Sequence, residues 1–129
     1  MNAKTTFSSF STNDSVKAKE FYDRVLGLKV GDDEMGLMLE LPGGAQVFIY
    51  EKDDHKPATF TVLNFVVEDI EKAVEELKGK GVKFEKIDFG DEGGATDEEG
   101  IMRGKAANQG PDIAWFKDPA GNFLSVIEN

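Results

Sequence analysis

One histidine is the natural first suspect for proton chemistry. His55 stands in Lys52-Asp53-Asp54-His55-Lys56-Pro57, a charged stretch ending in proline. Imidazole ordinarily titrates near pH ~6.5, which suits a general base in a pocket, but the surrounding charges read as a solvated linker. There is no cysteine, so thiolate chemistry and disulfides are excluded. With that composition neither a Cys–His dyad nor a Ser–His–Asp triad is expected. Glu51 and Glu128 each close an apolar run, and carboxylates so placed are possible donors to a hard cation. Arg103 follows an acidic, glycine-rich segment. It either anchors a ligand carboxylate or phosphate beneath a closing flap, or pairs with Asp97, Glu98 or Glu99. Tyr50 and Glu40 complete the groups able to move a proton. Gly43-Gly44 and Gly93-Gly94 lack the strand–loop–helix setting of a phosphate cradle and read as turns.

Whatever these side chains do, a repeated framework has to position them. Pro119, Gly121 and Glu128 are spaced as Pro42, Gly44 and Glu51 are. Each set is a turn followed by a β-branched and aromatic run, the signature of a strand. The helices echo one another as well. Asp14 opens a stretch through Ala18, Phe21, Tyr22 and Val25 to Gly27, and Asp69 opens another through Ile70, Val74 and Leu77 to Gly81. An N-cap acid, an apolar stripe at helical spacing and a terminal glycine mark both. Strands are expected over 5–11, 28–32, 36–41, 46–51, 60–67, 82–87, 112–117 and 122–128. Segment 88–100 reads as a loop or flap, and 101–111 as a strand centred on Ile101, Met102 and Arg103 that runs into a turn.

These units resemble the vicinal oxygen chelate superfamily, which includes glyoxalase I, extradiol dioxygenases and the fosfomycin and bleomycin resistance proteins. Asp14–Val30, with Phe21-Tyr22 and Leu26-Gly27-Leu28, resembles the first helix and the strand after it. Phe116-Lys117-Asp118-Pro119-Ala120-Gly121-Asn122 resembles the family's Asp-Pro-x-Gly turn. The resemblance implies an α+β fold: two βαβββ modules, about 3–52 and 59–129, in one domain over 1–129, forming a curved eight-stranded half-open barrel with helices outside.

Enzymes of this family use a divalent metal held by His, Gln or Glu on the first and last strands of each module. Carried onto this chain, those positions are Phe7, Phe48, Val62 and Ser125. Three are apolar, and zinc or a hard cation needs nitrogen, oxygen or thiolate donors. Glu51 and Glu128 lie three residues beyond Phe48 and Ser125. Strand alternation turns them to the opposite face. No metal and no cofactor are therefore expected.

What remains is a pocket. Alternation gathers Phe7, Ser9 and Ser11, then Gln46, Phe48 and Tyr50, then Val62 and Asn64, with Phe123, Ser125 and Trp115 nearby. Apolar walls with a few hydroxyl and amide groups suit a small molecule. The expected ligand-binding set is Phe7, Ser9, Phe48, Tyr50, Val62, Asn64, Arg103, Trp115 and Ser125, and no catalytic residue is assigned. The formal net charge is −10, from 25 acids against 15 bases. Such a field repels nucleic acid and favours a cationic ligand. No apolar run approaches the ~18 residues of a membrane span, and the N-terminus lacks the apolar core of a signal peptide. A cytoplasmic protein is expected. The resemblance to bleomycin resistance proteins implies a homodimer that sequesters a cationic or amphipathic compound. The alternatives are a metal-dependent lyase, isomerase or dioxygenase of the glyoxalase type, and a metal-free enzyme.

Overall fold

A computed structural model describes residues 1–129. The chain divides into two compact units, 1–57 and 58–129. Unit one runs β1 (Ser8–Thr12), α1 (Ser15–Glu20), a π-helical turn (Phe21–Val25), β2 (Lys29–Asp33), β3 (Gly36–Glu40) and β4 (Gln46–Glu51). Unit two runs β5 (Thr61–Val66), α2 (Ile70–Gly79), β6 (Ile101–Arg103), β7 (Asp112–Lys117) and β8 (Phe123–Glu128). Each is a βαβββ module. The sheets have matching orders, β1-β4-β3-β2 and β5-β8-β7-β6, with the outer pairs β1–β4 and β5–β8 parallel. No helix is long and apolar enough to cross a membrane.

Both helices start as their sequences dictate. Asp14 Oδ1 accepts from the Lys17 N–H at 3.1 Å, and Asp69 Oδ1 from the Lys72 N–H at 3.1 Å. Each satisfies one of the donors that a helix start leaves unpaired. Beyond both helices the chain turns through a left-handed glycine, Gly27 at φ 69° and Gly81 at φ 93°, a backbone region costly for residues with a Cβ. Ala18 and Tyr22 are the buried positions of the first helix, Ile70 and Val74 those of the second. That i, i+4 spacing faces each helix onto its sheet. Val47, Ile49, Leu37 and Leu39 form the buried sheet face in unit one, and Leu124, Val126, Ala114 and Phe116 in unit two.

The strand expected over 82–87 is not one. Phe84 makes a single bridge to Phe116, and the Glu85 N–H donates to the Trp115 carbonyl at 2.8 Å. Pairing geometry explains it. β6 takes the Asp112–Ala114 half of the β7 edge, leaving only Trp115, Phe116 and Lys117 for the segment after α2. The strand expected within 101–111 is confined to the three residues of β6. Segment 88–100 is hydrogen-bonded: Asp88 bridges Ala95, the Phe89 N–H donates to Gly94 O at 2.8 Å, and the Thr96 N–H to Ile87 O at 2.9 Å.

Asp97 ties that segment to β6. Its Oδ1 accepts from the Ile101 and Glu99 N–H groups at 3.0 and 2.9 Å, and its Oδ2 from Arg103 Nε at 2.9 Å. Burial opposes its charge, but the Ile101 N–H, the Arg103 guanidinium and the Glu99 N–H outweigh burial and hold the carboxyl below its ordinary range. Because the folded-state pKa is depressed, the stabilisation is present above the unfolded carboxylate pKa and is lost as pH falls through the folded value. Thermal melts from pH 6 down to pH 2 should therefore show the wild type losing more stability than Asp97→Asn. Parallel losses would contradict this.

Candidate functional site

The open face of the first sheet, opposite α1, is aromatic. Register sets Ser9 beside Phe48, Ser11 beside Tyr50, Met38 beside Phe48 and Gly36 beside Tyr50. The Phe48 and Tyr50 rings are stacked, with centroids 6.3 Å apart and planes at 18°. Phe7, just before β1 and 58% exposed, meets Phe48 edge-on at 6.4 Å. Unlike the solvated residue expected from the linker, His55 is half-buried, with Nδ1 2.7 Å from Ser11 Oγ. The linker aims it there: the Lys52 N–H donates to Thr12 O and the His55 N–H to Lys52 O, both at 3.0 Å. A serine–histidine contact thus exists where no triad was expected.

The open face of the second sheet, opposite α2, is aromatic with a polar centre. Asn64, Ser125 and Trp115 are neighbours across three strands. Ser125 is fully buried, and its Oγ donates to Asn64 Oδ1 at 2.5 Å. Trp115 Nε1 donates to Thr61 Oγ1 at 3.1 Å, while Phe89 packs on the indole at 5.5 Å. Lys117 Nζ lies 5.1 Å from the centre of the Phe123 ring and 3.2 Å from Glu85 Oε1. Val62 lies at a register shift between Thr61 and Leu63. Strict alternation would put Val62 beside Asn64 on this face, whereas the shift and the indole bond put Thr61 there. Thr61 does not stand out in the sequence, and His55 stands out as the sole histidine but in a stretch that reads as solvated. Phe89 does carry a signal, as a large apolar residue within an acidic, glycine-rich segment.

Arg103 is not brought together with the expected residues of its own sheet, Asn64, Trp115 and Ser125. It pairs with Asp112 across the ladder, whereas its neighbour Met102 pairs with Ile113. Its guanidinium reaches Glu71 Oε1 of α2 at 2.8 Å and Asp97 Oδ2 at 2.9 Å. It therefore sits on the helix side, joining α2, β6 and the segment before it. Asp97 is one of the partners expected for it.

The two terminal glutamates face the helices too, and in the same way in both modules. Ser15 Oγ donates to Glu51 Oε2 at 3.2 Å, and the Ile70 N–H to Glu128 Oε1 at 3.1 Å. Ser15 and Ile70 are the first residues after the two N-caps. Lys105 Nζ meets Glu128 Oε2 at 2.5 Å, and the lysine and the Ile70 N–H hold that carboxyl below its ordinary range. Both carboxylates are thus committed to the helix sides of their sheets. At the positions where the resemblance expects metal donors stand two stacked or edge-on phenyl rings, a valine and a serine bonded to an amide. No group of three or more His, Asp or Glu side chains is gathered to hold an ion. These residues do not fit a divalent metal.

A family model described as the glyoxalase/bleomycin resistance protein/dioxygenase superfamily matches residues 9–126. No curated protein matches the chain. Among solved structures, the Listeria monocytogenes fosfomycin resistance protein FosX superposes with a TM-score of 0.68 at 13% identity, covering 100% of this chain and 95% of its own. A superfamily member from Sphaerobacter thermophilus DSM 20745 gives 0.64 at 24% identity, covering 97% and 98%. TnmS3, an antibiotic binding protein from Streptomyces sp. CB03234, gives 0.63 at 18% identity, covering 99% and 98%. At such identities the likeness speaks to the fold.

Proposed function

Because the chain belongs to the glyoxalase/bleomycin resistance protein/dioxygenase superfamily, we propose that it is a metal-free member that binds and sequesters a cationic or amphipathic, ring-bearing small molecule. The observation that carries this reading is the exchange of donors for aromatic surface. Phe48 stacks on Tyr50 where a donor is expected, and Glu51 and Glu128 are tied to the helices. Each sheet offers its own proposed contact residues: Phe7, Ser9, Phe48 and Tyr50 on the first, and Thr61, Asn64, Phe89, Trp115 and Ser125 on the second. Flat rings lie well on such faces, and the few hydroxyl and amide groups orient them. Val62, which the register shift takes out of the alternation, is left out of the contact set in favour of Thr61, and Arg103 is assigned to structure. An antibiotic-binding protein among the structural relatives supports the reading by analogy. The net charge of −10 favours a cationic head group. We further propose a cytoplasmic homodimer, since closed two-fold dimers are the commonest soluble oligomers.

A thermal-shift screen of cationic antibiotics and ring-bearing metabolites tests the proposal. A ligand at a hundred times its Kd adds about 2.7 kcal/mol of stability and raises Tm, whereas nickel, zinc, manganese and iron should leave Tm unchanged. Protein purified without chelators that carries one of these metals stoichiometrically would overturn it, and gel filtration as a monomer at micromolar concentration would overturn the dimer. The Ser11–His55 contact favours one second reading, a metal-free enzyme in which this pair moves a proton. Turnover abolished by His55→Gln would establish that reading instead.

A further inference from the structure

We propose that Asn64 is the specificity-determining donor of the second sheet, and that what lies on this face is a neutral, flat ring system bearing a carbonyl. This rests on the small-molecule-binding reading above and narrows its ligand class. A buried hydroxyl has to place its proton on an acceptor. Ser125 is fully buried and its bond runs to Asn64 Oδ1 at 2.5 Å. That contact fixes which way the amide points. With the oxygen turned to Ser125, the Nδ2 hydrogens of the exposed Asn64 face outward from the sheet.

The neighbours decide what those hydrogens meet. Trp115, beside Ser125 in the ladder, has its own N–H committed to Thr61 Oγ1 at 3.1 Å. Its ring therefore offers apolar surface, which Phe89, 51% exposed, extends. A cation already sits on this face, since Lys117 Nζ is 5.1 Å from the Phe123 ring centre. Glu85 neutralises that lysine at 3.2 Å, and an ammonium group, itself only a donor, finds no acceptor in outward amide hydrogens. The face thus combines flat apolar area, outward amide donors and a lysine already paired with Glu85. That combination selects a ring with an oxygen acceptor over one with an ammonium group or no polar atom.

Equilibrium dialysis with 9-fluorenone and fluorene, flat molecules differing by a single carbonyl, tests the assignment. The fluorenone-to-fluorene affinity ratio of the wild type should fall about tenfold in both Asn64→Asp and Asn64→Leu. The aspartate keeps an acceptor for Ser125 while presenting none of the outward donors, so a fall there reports the donors rather than a disturbed sheet. An unchanged ratio in both variants, with fluorene still bound, overturns the role of Asn64 alone. Retention of neither compound by the wild type overturns ring binding at this face, and the inference with it.

Discussion

Asp118→Ala should cost on the order of 4 kcal/mol of folding stability, because one buried carboxylate organises the whole turn before β8. Asp118 is 5% exposed. Its Oδ1 accepts from the Ala120 and Asn122 N–H groups, both at 2.9 Å, and its Oδ2 from Asn122 Nδ2 at 3.1 Å. Asn122 is itself buried and spends its Oδ1 on the Ala58 N–H at 3.2 Å. Truncation removes the acceptor of three hydrogen bonds in a buried turn, a loss of about 1–3 kcal/mol each at most, against a typical domain stability of about 5–15 kcal/mol. The first module supplies the control. Its equivalent turn closes with the same backbone pair, Leu41 N–H to Ala45 O at 2.9 Å and Gly44 N–H to Leu41 O at 3.1 Å, but Leu41 brings no side-chain acceptor. Leu41→Ala should cost clearly less. Urea unfolding followed by circular dichroism measures both, and a loss below about 1 kcal/mol for Asp118→Ala would show that the turn stands on its backbone bonds alone.

That pair of turns also explains which features could be read in advance. The repeat is legible because a proline and a glycine two residues on impose a local geometry, and the backbone bonds of the two copies coincide: Asp118 N–H to Asn122 O and Gly121 N–H to Asp118 O, both at 3.0 Å, mirror the first turn. Helix caps are local in the same sense, so Asp14 and Asp69 announce their helices. β4 and β7 span the residues expected of them, since alternation and the flanking turns bound them on both sides. Features set across strands left no local mark. The register shift at Val62 arises from how β5 meets β8. The failure of 82–87 to pair follows from β6 having taken half of the β7 edge. His55 reaches Ser11 because two backbone bonds steer the linker back along β1. Parity, by contrast, is intrinsic to a strand, and it correctly turned Glu51 and Glu128 toward the helices. For the candidate site, then, the aromatic content was readable, and the polar wiring of Asn64, Ser125, Thr61 and Trp115 was readable only in part.

The same wiring makes Ser125→Glu the sharpest functional test. Glutamate is one of the donors that the family resemblance implies at this position, so the substitution supplies a metal donor if the surroundings can use one. The site is fully buried and the hydrogen-bond partner there is the Asn64 carbonyl oxygen at 2.5 Å, which repels a carboxylate. Swinging Asn64 around offers one amide donor, too little to offset desolvation of the charge. A loss of at least about 3 kcal/mol at pH 7 is expected. Burial raises the folded-state pKa of the new carboxyl above its unfolded value of about 4.3. The destabilisation is therefore full above the folded pKa and shrinks as pH falls toward the unfolded one, so the gap between variant and wild type should narrow from pH 7 to pH 5. Divalent nickel, zinc or manganese should not close it, because the ladder neighbours of residue 125 are an indole and an amide and a cage needs at least three good donors. Recovery of wild-type Tm on adding any of these ions would mean that the fold keeps a latent metal cage, and the metal-free reading would lose its physical basis.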